Sequence, residues 1–385
     1  MNGQDGILYG LMANPGHNRV YFEASKVMAL AELELACRQF DVPCGNVSAM
    51  DVEGIHLVTF RAEAPLSEAD LRWVSRLSFV FAVFRMEIRA DGVALFPIRK
   101  LRTGVMNDDL VTILKYSGKT NELFTRLMVN VGLLSGKYAR EPHISLMDPV
   151  AGKGTTLFEA AVSGWDAYGV EIGEKPVHEA GVFFKKYLET GKYKHTMERE
   201  RLSGEGRRFK AVVSLFEFSA SKEAQKAGVK QKLCMVEGDS RYADHYFRRE
   251  QFHVIVGDLP YGVQHGSQTR NNPDEPVPDS PPDLARGSSS SHTRSASSTR
   301  PRNGSSAPTR NPVELVRTCL PAWLEVLKPG GTIVLAWNRF VLERQALASA
   351  FRFKGLTVLE EAPYDQFLHR VDQAINRDII VVRKD

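Results

Sequence analysis

Two short runs of this 385-residue chain combine residue types and spacings that could do chemistry. The first is Leu146-Met147-Asp148-Pro149-Val150-Ala151-Gly152-Lys153-Gly154-Thr155-Thr156-Leu157-Phe158-Glu159-Ala160, in which an apolar strand ends, a glycine turn follows and a helix begins. Gly152 and Gly154 permit backbone angles and close approaches that a side chain would block. The turn delivers a ligand to the amide groups of a helix N-terminus. A phosphate-binding P-loop requires GxxxxGK[ST], but Met147 stands five before Gly152, and Gly154 follows Lys153 where Ser or Thr is needed. A dinucleotide fingerprint requires a third glycine where this chain has Leu157. What remains is the shorter glycine turn of a nucleoside-binding methyltransferase. The second run is Val254-Ile255-Val256-Gly257-Asp258-Leu259-Pro260-Tyr261-Gly262, which sets Asp-Leu-Pro-Tyr just past a buried strand. In an open α/β sheet the ligand crevice lies at such carboxyl ends.

An exocyclic amine is a poor nucleophile because its lone pair is delocalised into the ring. The Asp258 carboxylate and a backbone carbonyl near Leu259 or Pro260 can each accept one amine hydrogen and orient the nitrogen towards a methyl sulfonium. Pro260 stiffens the turn, and Tyr261 offers a flat face for a base. Two further acids fit the same crevice. Glu171, in Gly169-Val170-Glu171-Ile172, follows Gly152 at close to the ~20-residue interval at which an acid meets ribose hydroxyls. Asp239 and Ser240, in Glu237-Gly238-Asp239-Ser240, follow the next strand, where the adenine of the cofactor would lie.

These residues need elements to position them. From Ile144 onward strand and helix patterns alternate, which argues for a doubly wound parallel α/β sheet, Rossmann-like and seven-stranded. The strands expected are Ile144–Met147, Ala167–Glu171, Leu233–Glu237, Val254–Gly257, Thr332–Trp337, Thr357–Glu361 and Asp378–Val382, the last two pairing antiparallel. The helix before the fifth strand stops at Pro329-Gly330-Gly331. Residues 1–105 read as a small α+β domain, with strands Ile7–Met12, Ile55–Phe60 and Val93–Ile98 and helices Glu23–Phe40 and Ser67 to about Val80. Ser67 with Asp70 makes a variant capping box. Residues 106–143 form a linker with a helix at Asn121–Leu134, and 144–385 the main domain. An insert at 266–311 of Ser, Arg, Pro and Gly has almost nothing to bury and is expected to be disordered. A tolerated surface insertion is favoured over a phosphate-neutralising arm.

Composition sets outer limits. A 43% hydrophobic and 25% charged chain buries a real core. No run approaches the ~20 apolar residues of a membrane span, and the N-terminus lacks a secretory signal, so a cytoplasmic location is expected. Cys37, Cys44, Cys234 and Cys319 show no metal spacing and read as free thiols. A net charge of +4 does not establish nucleic-acid binding. The cluster Lys185, Lys186, Lys192, Lys194, Arg199, Arg201, Arg207, Arg208 and Lys210 is either a solvated helix and loop face or an RNA-facing patch.

The combination resembles the amino-methyltransferases that use S-adenosyl-L-methionine, and within them the THUMP-associated RNA guanine methyltransferases. Their first motif, Asp-Pro-x-x-Gly-x-Gly-Thr-x-x-x-Glu-Ala, is matched from Asp148 through Ala160. Their catalytic Asp-Pro-Pro-Tyr falls on Asp258, Leu259, Pro260 and Tyr261, with Leu259 where proline is usual. Val150 and Ala151 replace the usual Phe and Cys. The resemblance covers about residues 115–385 apart from the insert. More loosely, the N-terminal part is similar to the N-terminal region of the tRNA guanine methyltransferases of archaea and eukaryotes, though shorter than a complete THUMP domain with its companion. It implies S-adenosylmethionine bound by Asp148, Gly152, Gly154, Thr155, Glu171, Asp239 and Ser240, with Phe124 touching its methionine end. It also implies RNA, tRNA in particular, as partner and the guanine amine as acceptor. Some members of the class need an activating protein partner. Three other functions compete: methylation of DNA, methylation of a protein glutamine amide, and RNA binding without catalysis. A glutamine methylase usually carries Asn at the place of Asp258, and a DNA enzyme needs a target-recognition domain and base flipping.

Overall fold

The computed structural model describes residues 6–14, 19–116, 119–204, 209–260, 311–353 and 355–385. The first layer comprises β1 (Ile7–Ala13), α1 (Arg19–Cys37), β2 (Cys44–Val52), β3 (Ile55–Ala62), α2 (Glu68–Arg76), β4 (Val80–Arg89) and β5 (Gly92–Ile98). Its strands lie in the order β2-β3-β1-β4-β5, each antiparallel to its neighbours. Alternation turns Tyr9 and Leu11 of β1, with Val58 and Phe60 of β3, onto the apolar side of α1, where Met28, Ala31 and Leu35 are buried. Ser67 and Asp70 form a full capping box at α2. The same Asp70 carboxylate accepts the amides of Asp41 and Val42 at 2.7 and 3.2 Å.

The expected helix to about Val80 ends instead at Arg76, and β4 takes over at Val80. The run Val80-Phe81-Ala82-Val83-Phe84 is rich in β-branched and aromatic residues, which favour a strand. β2 escapes sequence reading because it is a half-exposed edge strand without a buried run.

A connector holds α3 (Asp109–Thr112) and α4 (Glu122–Ser135). Asn121 caps α4 by accepting the amides of Leu123 and Phe124. The second sheet then runs β6 (Ser145–Asp148), α5 (Thr155–Val162), β7 (Asp166–Glu171), α6 (Glu174–Thr190), β8 (His195–Ser203), β9 (Lys210–Phe218), α7 (Lys222–Lys226), β10 (Gln231–Glu237), α8 (Ala243–Tyr246), β11 (Phe252–Asp258), α9 (Pro312–Val326), β12 (Leu327–Asn338), α10 (Arg344–Ala348), β13 (Leu356–Leu359), β14 (His369–Arg370) and β15 (Asn376–Lys384). Spatially the order is β13-β15-β12-β11-β6-β7-β10-β9-β8, with β14 pairing β15. β10, β7, β6, β11 and β12 are parallel. β15 inserts antiparallel between β12 and β13. Apolar clusters cover both faces, one with α4, α5 and α6 and one with α9.

The seven expected strands are present and contiguous, but the sheet has ten, not seven. The hairpin β8–β9 and the short β14 extend it. β8 is exposed at nearly every position, so it carries no apolar alternation and is defined only by its pairing with β9. The hairpin also reassigns Lys194, Arg199, Arg201 and Lys210 from a helix and loop face to a strand pair and its immediate approach. The 266–311 insert lies outside the described residues apart from Asn311, which caps α9. The four cysteines are free. No helix among the described residues is long and apolar enough to cross a membrane.

The two layers share a buried polar seam. Glu159 of α5 accepts from Arg126 of α4 through both oxygens, at 2.8 and 3.2 Å. Arg76, at the end of α2, approaches the same carboxylate at 3.8 Å and donates to Ser163 Oγ at 2.7 Å. Beside it, buried Glu32 of α1 accepts from the Ser78 amide and hydroxyl and from Asn130 of α4. Burial raises the Glu32 carboxyl against the lowering effect of these donors.

Candidate active site

Four adjacent strands, β10, β7, β6 and β11, end at their carboxyl edge on Glu237, Glu171, Asp148 and Asp258. Parallel pairing brings these acids to one side of the sheet. A strand end is the natural crevice of an open α/β sheet, and a row of carboxylates makes it a place for a cationic ligand.

The glycine turn sits over β6 and β7. Gly152 has φ +51° and Gly154 φ +84°, both in the left-handed region, and Gly154 is the N-cap of α5. A Cβ on Gly152 would meet nothing within 4 Å, so the space above the turn is open on that side. The turn also needs two small neighbours. A Cβ on Gly169 of β7 would come within 2.7 Å of Ala151 and Leu157, and one on Gly257 of β11 within 3.1 Å of Val150. The turn therefore packs directly on the backbones of both flanking strands. Glu171 closes it: its Oε2 accepts the Gly152 amide at 3.0 Å and its Oε1 the Gly173 amide at 2.8 Å. The carboxylate is fixed by backbone donors at the rim, where further hydroxyl donors of a ribose could reach it. An open space over a left-handed glycine, amides at a helix start and a fixed acid beyond fit a nucleoside cofactor.

Asp148 is 3% exposed. Burial pushes its carboxyl up to about 7, and the nearby carboxylates of Asp258 and Glu171 add to the rise. The Val150 amide and Thr156 hydroxyl pull the other way. Thr155 bonds the Tyr116 hydroxyl at 3.1 Å, and Lys153 lies over the Tyr116 ring while pairing with Glu179 at 2.5 Å. Lys153 is thus turned to the surface of α6.

Asp258 ends β11. Its Oδ2 accepts from Thr120 Oγ1 at 2.7 Å and lies 3.6 Å from Arg377 Nη2. Leu259 is 1% exposed, and its amide is tied to the Ala336 carbonyl of β12 at 2.8 Å, so leucine in place of proline anchors the turn in the core. Pro260 is exposed. Tyr261 lies outside the described residues. A cavity of about 270 Å³ adjoins this corner, lined in part by Thr120, His369, Arg370 and Arg377.

Two expected cofactor contacts are engaged in the core, and a third already has a partner. Phe124 is fully buried, its ring against His369 at 4.9 Å and under the Arg377 guanidinium at 4.7 Å, so it is a floor beneath the site and not a contact surface. The Ser240 hydroxyl accepts from the indole of Trp323 at 2.9 Å inside the core, which makes it a tie to α9. Asp239 stands at the end of β10, but Arg241 occupies both its oxygens, through the amide at 3.0 Å and the guanidinium at 2.6 Å. An adenine amine would have to share this carboxylate with Arg241. Sequence reading missed Thr120 and Arg377. Thr120 directly precedes the helix cap Asn121, a signal of place only, and nothing local marks Arg377.

Residues 134–273 match the family model described as UPF0020, RMKL-like, methyltransferase domain. No curated protein matches the chain. Among solved structures, TrmN from Thermus thermophilus aligns with 13% identity and TM-score 0.36, covering 78% of this chain and 59% of that one. An rRNA methylase from Streptococcus thermophilus aligns with 11% identity and TM-score 0.29, covering 63% and 87%. SMU.1697c from Streptococcus mutans, solved in complex with SAH, aligns with 11% identity and TM-score 0.31, covering 63% and 89%. The chain thus spans under two thirds of the length of TrmN. The segment that matches this methyltransferase-domain model carries the glycine turn, Glu171 and Asp258, and the cofactor is S-adenosylmethionine.

Proposed function

We propose that the protein is an N-methyltransferase that modifies an exocyclic amine of an RNA base, with guanine in tRNA as the favoured substrate. The observation that carries this reading is the position of Asp258: a carboxylate at the end of β11, beside Asp148 and approached by Thr120 and Arg377, which line the adjoining cavity. S-adenosylmethionine, when bound, supplies an electrophilic methyl group on a cationic sulfur. Gly152, Gly154 and Thr155 would hold it at the start of α5, Glu171 would take its ribose hydroxyls, and Asp239 its adenine. Asp258 accepts a hydrogen of the acceptor amine and turns the nitrogen lone pair towards the crevice. Much of the acceleration then comes from holding two bound reactants in line.

RNA as the substrate class is supported by the sequence resemblance, as is an RNA-docking role for residues 1–105. The boundaries 1–105, 106–143 and 144–385 are proposed on the same reading. Methyl transfer from labelled cofactor to tRNA, rRNA and DNA in parallel, followed by nucleoside mass analysis, tests it. Methylguanosine in tRNA is the expected product. Label only in DNA or in protein would overturn the RNA reading. Cofactor binding with transfer to nothing would leave a non-catalytic protein or one awaiting an activating subunit, and adding cell extract separates those two.

A further inference from the structure

The corner around Asp258 is assembled from chain segments far apart in sequence: the approach to α4, the end of β11 and the start of β15. A hydroxyl donor and a cation from the outer segments converge on one oxygen. Thr120 Oγ1 donates to Asp258 Oδ2 at 2.7 Å, and Arg377 Nη2 stands 3.6 Å from the same atom. We propose that Thr120 and Arg377 are positioning residues for Asp258, holding its Oδ2 so that the carboxylate meets the acceptor amine in a single orientation. The proposal rests on the reading of Asp258 as the amine acceptor.

Both donors are themselves fixed. Thr120 precedes Asn121, whose side chain is locked onto the first turn of α4 by the Leu123 and Phe124 amides. Arg377 is 6% exposed, with its guanidinium over the buried Phe124 ring. Its backbone is registered against Asn338 of β12 and against His369 of β14, and the amide of the preceding Asn376 donates to Asn338 Oδ1. A buried arginine held on an aromatic floor has few other rotamers to visit, so little order is lost when it holds a carboxylate. Thr120 supplies the short directional bond and Arg377 the charge.

Arg377 also brings a cation to a corner that holds two carboxyl groups. Among the described residues, the groups facing Asp258 include Asp148 from β6, Arg377 from β15 and His369 from β14. Asp148 is a like charge whenever it is ionised. Burial pulls the His369 imidazole down to about 4, so at neutral pH it is uncharged and gives no compensation. Arg377 is a cation that stands directly beside Asp258 Oδ2.

The test compares Thr120→Val, Thr120→Ser, Arg377→Met and Arg377→Lys in the full chain. It measures kcat, KM for RNA and cofactor affinity by calorimetry. Thr120→Val and Arg377→Met should each lower kcat, on the order of 10²-fold at most, with KM and cofactor affinity within about twofold of wild type. Arg377→Lys should restore part of the lost kcat, and Thr120→Ser most of it. Unchanged kcat in Thr120→Val and Arg377→Met, with Asp258→Ala inactive, would overturn the positioning role and leave the amine reading standing. A change confined to KM or cofactor affinity would overturn it too. Activity surviving in Asp258→Ala would instead remove the amine reading itself. Should Arg377→Met fail to fold, the half-buried Thr120→Val and its serine rescue decide the matter.

Discussion

The Gly152 amide donates to Glu171 Oε2 at 3.0 Å, so the turn after one strand and the acid at the end of the next form a single hydrogen-bonded unit. Glu171 also holds the Gly173 amide ahead of α6. One carboxylate thus sets the shape of the glycine turn and remains at the rim, and loss of either partner should be felt as loss of cofactor.

Glu171→Ala removes both the proposed ribose acceptor and the brace on Gly152. Cofactor affinity measured by calorimetry should fall by about 10- to 100-fold, in line with loss of one or two charge-assisted hydrogen bonds. Gly152→Ala forces a side chain into φ +51°, costing roughly 1–2 kcal/mol, and its methyl enters the open space above the turn. A small drop in the melting temperature of the free protein with a larger drop in cofactor affinity is expected.

Asp258→Ala should abolish methyl transfer while cofactor affinity stays within about twofold of wild type. On the proposed reading Asp258 would face the acceptor, and the glycine turn and Glu171 the cofactor. Single-turnover transfer to RNA with pre-bound cofactor reads the chemical step directly.

Asp148 gives the site a pH dependence. Its folded carboxyl is raised to about 7, so its contribution to stability is fully present below the ordinary carboxyl pKa of about 3.9 and is lost as pH rises through about 7. Melting curves of wild type against Asp148→Asn should therefore converge differently at pH 5 and pH 8, the wild type losing relative stability across that interval. A cationic sulfonium favours the ionised carboxylate, so cofactor affinity should strengthen as pH rises through 7, while the neutral thioether product should show a weaker trend. Equal pH trends for both ligands would remove Asp148 from the cofactor's neighbourhood.

Glu159 is 1% exposed and pairs with Arg126 and Arg76 across the seam between the two sheets. Glu159→Ala leaves two largely buried guanidinium groups facing each other and should cost about 3–5 kcal/mol of unfolding free energy by denaturant titration. Replacement of exposed Glu68, which pairs with Arg72 on the surface of α2, should cost well under 1 kcal/mol.

The parallel core of the second sheet was legible because its strands are short apolar runs punctuated by turns, and because Asp148, Glu171 and Asp258 fall at their carboxyl ends. The extra hairpin was not, since β8 is polar on both faces and exists only through its partner β9. Ser240 and Phe124 show the opposite limit. Their places along the chain suggest a cofactor contact, but a hydroxyl 2.9 Å from the Trp323 indole and a ring packed against His369 and Arg377 are engaged in the core.

By itself the sequence determined the glycine turn, the acids that follow each strand and the order in which they occur, since backbone freedom at glycine and strand periodicity are properties of neighbouring residues. Only the tertiary structure decided which distant side chains meet them. Thr120 and Arg377 reach Asp258 because β15 inserts antiparallel between β12 and β13 and the approach to α4 passes over the end of β11, and no local pattern encodes a contact made by strand order.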